Sequence, residues 1–150
     1  MSALLRLSAL LSVCLLFACQ KEELYVPGDF VGVWQEEEDP TIIQFAGSNH
    51  RFEFTADGAF RLQRQTWTDV ILVGEPCEGG QTDFIAGQFS VDGDQLSIEG
   101  VYMDQSFTSL LPNCEGESGY SETYDFAFQG DDLLLNPQEP VYLSIRLVRQ

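Results

Sequence analysis

The stretch HRFEFTADGAFRLQRQTW, His50 to Trp67, sets the fold of this chain. Phe52 and Phe54 fall on one side of an extended segment. Phe60 and Leu62 do the same after Asp57-Gly58, with Arg61 and Gln63 on the opposite side. Alternation with a period of two means a strand with one buried and one wet face. The Asp-Gly between the two runs supplies the positive φ of a tight turn. The segment is therefore a β-hairpin.

The unit recurs. Phe54-Thr-Ala-Asp-Gly58, Phe89-Ser-Val-Asp-Gly93 and Phe126-Ala-Phe-Gln-Gly130 superimpose, with their glycines 35 and 37 residues apart. This predicts three hairpins in series: 50–55 with 59–67, 82–91 with 95–103, and 120–129 with 132–136. Gln95 to Glu99 alternates within the second, and Val141 to Leu147 is the longest alternating run of all. A first strand over Phe30–Gln35 and a last over 141–149 bring the count to eight. Thr41–Phe45 extends the first strand past a bulge, extends the second, or forms a ninth. No segment carries a helical pattern over more than a turn. A meander of this size closes on itself and so removes its exposed edges. The predicted fold class is all-β: an antiparallel up-and-down barrel of about eight strands.

Topology then places two cysteines. The tight turns share one end of such a barrel, so the longer connections, about 68–81 and 104–119, share the other. Cys77 lies in the first and Cys114 in the second. A Cys77–Cys114 disulfide is expected to staple the two loops at one rim, worth roughly 4 kcal/mol by loop entropy.

The chain has 150 residues. Leu7 to Ala18 is a 12-residue apolar stretch behind Arg6, the only charge before Lys21. It is too short to span a bilayer, which takes about 20 residues, and it fits the core of a secretory signal. Its end, Leu16-Phe17-Ala18-Cys19, resembles the lipobox of bacterial lipoproteins. That resemblance implies cleavage before Cys19 and acylation of its thiol, palmitate among the chains. Several chains together anchor a protein firmly. Residues 1–18 are then the signal peptide, 19–29 a lipidated tether and 30–150 the barrel. Gln20 in place of Asp implies the outer membrane by the common sorting rule. Gln20-Lys21-Glu22-Glu23 also resembles a surface-export tag of one large group of Gram-negative lipoproteins. Cys14 leaves with the signal, so the pair Cys77 and Cys114 meets an oxidising compartment.

Cleavage there leaves 132 residues, and the loss of Arg6 moves the formal charge from −17 to −18. Such a chain is not expected to bind nucleic acid, which needs clustered Lys and Arg. A cationic protein partner suits it. His50 is the only histidine and is expected at the surface, which leaves no Ser-His-Asp arrangement. Glu36–Asp39 is a carboxylate run without the spacing that wraps calcium. No phosphate loop or zinc pattern occurs, so neither a reaction, nor a metal, nor a cofactor is expected.

Gly32 and Trp34, in Phe30-Val-Gly-Val-Trp34, look like the Gly-x-Trp signature that opens lipocalin and lipocalin-like barrels. The resemblance implies that Trp34 closes the barrel floor under Arg146 or Arg149. It also implies that the opposite rim is open to a ligand or partner. Inward side chains would then line a site for one small apolar molecule. The candidates are Phe52, Phe54, Phe60, Leu62, Phe89 and Leu96, with Ile98, Tyr124, Phe126, Leu143 and Ile145 beyond them. Ser118-Gly-Tyr120 and Tyr124-Asp-Phe126, ahead of Gly130-Asp131, resemble small acidic barrel lipoproteins that inhibit lysozyme. That likeness implies a surface interaction protein instead. A filled interior favours the second reading, and an apolar cavity favours the first.

Overall fold

The computed structural model describes residues 27–37, 46–68, 77, 80–140 and 143–150. The signal peptide, Cys19, Glu38-Asp39 and Thr41–Phe45 lie outside the described residues. Eight strands follow in order: β1 Gly32–Glu36, β2 Ala46–Phe54, β3 Ala59–Thr68, β4 Gln81–Asp92, β5 Gln95–Met103, β6 Gly119–Gln129, β7 Asp132–Leu135 and β8 Ile145–Arg149. Each pairs antiparallel with the next, and β8 returns to β1, which closes the barrel. The fold is the predicted all-β up-and-down barrel, with no helix among the described residues.

The three hairpins form where alternation and glycine place them. Phe52 faces Leu62 and Phe54 faces Phe60 across β2 and β3. Gly58, Gly93 and Gly130 take φ of 81°, 61° and 65°, the left-handed region that costs a glycine nothing. The turns after β4 and β6 have two residues each, since Asp92 pairs Gln95 and Gln129 pairs Asp132.

On the inner face Gly87 lies opposite Gly100. A Cβ at Gly100 would sit 2.6 Å from the Ala86 carbonyl oxygen, and one at Gly87 would collide with that of Glu99. Glycine at such points lets a sheet bend at a barrel corner. Phe60 beside Gly87 and Tyr120 beside Gly100 flank the pair.

One end of the barrel is solid. Phe30 sits before β1 rather than in it: its N–H bonds the Pro27 carbonyl at 3.1 Å in a turn. Gly32 at φ 142° then redirects the chain into the strand. The buried Phe30 ring meets Phe54 at 5.8 Å, Phe89 at 6.1 Å, Phe126 at 4.8 Å and Phe128 at 5.2 Å between centroids. Trp34 is buried beside it and donates from Nε1 to the Phe30 carbonyl at 2.7 Å.

Of the two arginines, Arg149 covers the tryptophan, its guanidinium carbon 4.5 Å from the Trp34 ring centroid. It also donates to the Val31 and Asp29 carbonyls at 3.0 and 2.5 Å. Arg146 faces outward and pairs with Asp132 at 2.6 Å and Glu37 at 3.1 Å.

The last strand is shorter than the 141–149 expected. The N–H groups of Leu143 and Ser144 both bond the Pro140 carbonyl, at 2.7 and 3.1 Å. This turn has a cause upstream. Asn136, at φ 52°, ends β7 after four residues, so β7 offers no residue to pair with Leu143 and Ser144. Leu143 is consequently 52% exposed and lines nothing inside the barrel.

Trp34→Ala is expected to lower stability by roughly 3–5 kcal/mol, as for other buried aromatics cut to alanine. Arg146→Ala, which removes only an exposed ion pair, should cost far less. Arg149→Ala should fall between them. Denaturant melts of the three variants provide the ranking.

Candidate functional site

The other half of the barrel is built differently. The inward positions beyond the apolar cluster are polar: His50 on β2, Arg64 on β3, Asp83 on β4, Tyr102 on β5, and Tyr120 and Tyr124 on β6. His50 and Asp83 are only 5% exposed, so His50 is not the surface residue expected from its place beside Arg51. It shares the inward side of β2 with Phe52 and Phe54. Its Nδ1 lies 2.8 Å from Glu36 Oε2, and the same oxygen accepts the His50 backbone N–H at 2.9 Å. Glu36 therefore acts as a clasp between β1 and β2, while Glu37 pairs with Arg146. No group of three metal-ligating side chains occurs among the described residues.

Arg64 and Asp83 form the centre of the polar half. Arg64 donates to Asp83 Oδ2 from Nη2 at 2.8 Å and from Nε at 3.3 Å. Its Nη2 also reaches the Tyr102 hydroxyl at 3.4 Å. The guanidinium lies 5.3 Å from the centroid of the Tyr120 ring, in cation–π range. Burial works against the Arg64 charge, but the Asp83 bond and the neighbouring oxygens outweigh it and raise its pKa. Tyr120 and Tyr124 approach each other hydroxyl to hydroxyl at 3.4 Å. Burial raises the pKa of both phenols, and for Tyr124 the neighbouring Tyr120 adds to the effect.

This network continues to the rim. Gln81 Nε2 donates to Asp83 Oδ2 at 3.1 Å, and Gln81 Oε1 accepts the Cys114 N–H at 3.4 Å. Cys114 is bonded to Cys77, with Cα atoms 5.5 Å apart, as the alternation of barrel ends predicts. The disulfide thus joins two connections 37 residues apart at the end opposite Phe30 and Trp34. A pocket of about 240 Å³ opens under this staple, lined by Asp83, Tyr102, Leu111, Pro112, Asn113 and Cys114 among others.

The 104–118 connection has its own scaffold. Asp104 accepts the Thr108 N–H and the Ser106 hydroxyl, both at 2.9 Å. Backbone bonds from Thr108 chiefly hold the Asp104 carboxyl below its ordinary pKa. Asn113 accepts the N–H groups of Glu115 and Glu117 at 3.1 and 2.8 Å. Phe107 packs edge-on to Phe84 on the outside of the barrel at 5.7 Å. Between these supports Leu110 and Leu111 stand 70% and 57% exposed.

The proposed lining residues sit mostly in the solid half. Phe52, Phe54, Phe60, Leu62, Phe89, Leu96 and Ile98 all turn inward, buried to 1% exposure or less. They pack on one another and on Phe30, with Phe54 and Phe89 at 4.8 Å and Phe52 stacked on Phe54 at 5.3 Å. Phe126 and Ile145 pack against this cluster half-buried. Only Tyr124 belongs to the polar half. Arg64, Asp83 and Tyr102 do not appear among the sequence candidates. Their signal was present: Arg64 continues the inward series Phe60, Leu62, and Asp83 precedes Ile85 on the same side of β4. Comparison with protein-family models, curated proteins and solved structures returned no match in any of the three.

Tyr120 and Tyr124 bind their protons more tightly folded than unfolded. Their contribution to stability is intact below pH 10, the ordinary phenol value, and is lost as pH rises above it. Of the five tyrosines, these two should ionise only as the barrel unfolds. An alkaline titration of phenolate absorbance, run beside circular dichroism, checks this.

Proposed function

We propose that the chain is a lipid-anchored, lipocalin-like lipoprotein of the outer membrane that binds a cationic protein at its open rim. The filled interior carries this reading. The side chains suited to an apolar guest already occupy one another's contact surfaces, which favours a surface partner over an enclosed small molecule. The rim offers what an interface needs: a loop held by a disulfide and two side-chain caps, with Leu110 and Leu111 forward. Ordering of this kind reduces the entropy lost on binding. Asp104, Glu115 and Glu117 flank the leucines in sequence on the same connection. With a chain charge of −17, they favour encounter with a basic protein surface. A cationic enzyme such as lysozyme has the required charge, and its inhibition would follow from occlusion of its cleft. No catalytic step forms part of this reading.

Two measurements test it. Cys19→Ser should move the protein from the membrane pellet to the soluble fraction of its own cells; a variant that still pellets would remove the anchor. For the partner, titration calorimetry of the protein against lysozyme should give a complex that weakens steeply with salt. Replacing Leu110 and Leu111 together with Ser should weaken it at least tenfold. Absence of any salt-sensitive complex with lysozyme or other basic proteins, and a small molecule retained through purification, would install the ligand reading instead.

A further inference from the structure

The barrel wall is not equally complete along its height. β6 pairs with β5 from Gly119 to Asp125, but with β7 only from Phe126 to Gln129. The bonding parity shows which groups face the uncovered side. Phe126 N–H bonds Asp94 on the β5 side, and Tyr102 N–H bonds the Ser118 carbonyl there. Even-numbered residues of β6 therefore point their backbone groups at β5, and odd-numbered ones point away. Asp125 is the last of the odd set to find a partner. Its carbonyl accepts the Asn136 N–H at 2.7 Å, and its N–H reaches Asn136 Oδ1 at 3.2 Å. Asn136 then turns the chain away at φ 52°. Beyond it, the edge-facing N–H and C=O groups of Ser121 and Thr123 have no backbone partner among the described residues.

Between these two residues stands Glu122. It shares the inward side of β6 with the buried Tyr120 and Tyr124, yet it is exposed. The carboxylate lies close enough to raise both phenol pKa values. Among the described residues no strand covers β6 here, and a negative charge stands at this edge.

We propose that this edge receives an extended segment of the basic partner as an added antiparallel strand, with a Lys or Arg set opposite Glu122. The mode deepens the partner reading above and rests on it. A strand hydrogen-bonded to Ser121 and Thr123 places one residue directly opposite Glu122 in a non-hydrogen-bonded pair. Cα atoms in such a pair lie about 4.5 Å apart with side chains on the same face. A basic side chain there meets Glu122 at the mouth of the polar half, beside Tyr120 and Tyr124. Backbone bonds supply affinity and the alternate side chains supply selection, as in strand addition generally. The same geometry disfavours a second copy of this chain. Pairing two β6 edges about Glu122 sets carboxylate against carboxylate, and like charges directly opposite are destabilising.

The test uses a seven-residue peptide of alternating Lys and Val, and the same peptide N-methylated at alternate amides. Binding of the first to the full protein, followed by amide exchange, should protect the Ser121 and Thr123 amides. The N-methylated peptide should bind at least tenfold more weakly. Thr123→Pro removes an edge-facing N–H and no bond to β5, a place where a strand tolerates proline. It should abolish the protection, and Glu122→Lys should weaken binding at least tenfold. Replacing Leu110 and Leu111 should leave peptide affinity unchanged, which separates this edge from the rim. Equal affinity for the two peptides, or no protection at Ser121 and Thr123, overturns the proposal while leaving rim binding of a whole protein untouched. Loss of rim binding with edge protection intact strikes the broader reading alone.

Discussion

Closing an eight-stranded sheet requires its first and last strands to meet, and here they meet over three residue pairs. Trp34 lies opposite Arg149, Gln35 opposite Val148 and Glu36 opposite Leu147. Three pairs are a weak seam by themselves. Arg149 reinforces it by gripping carbonyls of the preceding turn while its guanidinium lies over Trp34. That grip also holds the Asp29–Val31 segment against the barrel end, and with it the ring of Phe30. The floor is one unit in which seam, cover and plug depend on each other. Of the two arginines near the chain's end, the position within β8 decides which one covers Trp34. Arg149 falls opposite Trp34, whereas Arg146, opposite Leu134, faces out.

Strand length carries the consequences upward. β1, β7 and β8 have five, four and five residues, while β2 to β6 have nine to twelve. Among the described residues, the short strands close the wall near the floor. Above them the five long strands form a curved sheet whose inner face is unevenly sheltered, and the side chains there change from apolar to polar. A buried ion pair such as Arg64–Asp83 is poor evidence of stability, because desolvation offsets much of its attraction. Its value lies in direction. Gln81 and Asp83 link the disulfide loop to the centre of the polar half, so the loop is fixed at both its covalent and its hydrogen-bonded ends.

The hairpins were legible in the sequence because their determinants are local. Period-two alternation and a glycine of positive φ act within a dozen residues, and the strand ends in the second and third hairpins fall within one residue of expectation. The rim disulfide was legible for a topological reason, since any meander alternates its connections between two ends. What escaped depends on distant partners. Phe30 looks like a strand residue until Pro27 and Gly28 turn the chain and four other rings enclose it. His50 looked exposed because of its neighbour Arg51, yet strand parity already put it beside Phe52. Parity likewise marked Arg64 and Asp83 as inward charges. One inward charge reads as an error in a pattern, and two on adjacent strands read as a pair only when the register sets Arg64 opposite Asp83. The last strand starts later than its alternation suggests, because strand formation also needs a neighbour, and β7, ending at Leu135, pairs β8 no further than Ile145.

The same asymmetry bears on how an acidic barrel engages anything at all. A chain of charge −17 repels its own copies, which opposes self-association through exposed apolar side chains and a strand edge that no described residue covers. Leu110 and Leu111 on the rim and the Ser121–Thr123 edge are features that neutral proteins usually cover. Acidic groups near them impose a like-charge cost on self-pairing. The two features differ in origin: the leucines stand on the connection between two long strands, β5 and β6, whereas the Ser121–Thr123 edge lies where β7 has already ended.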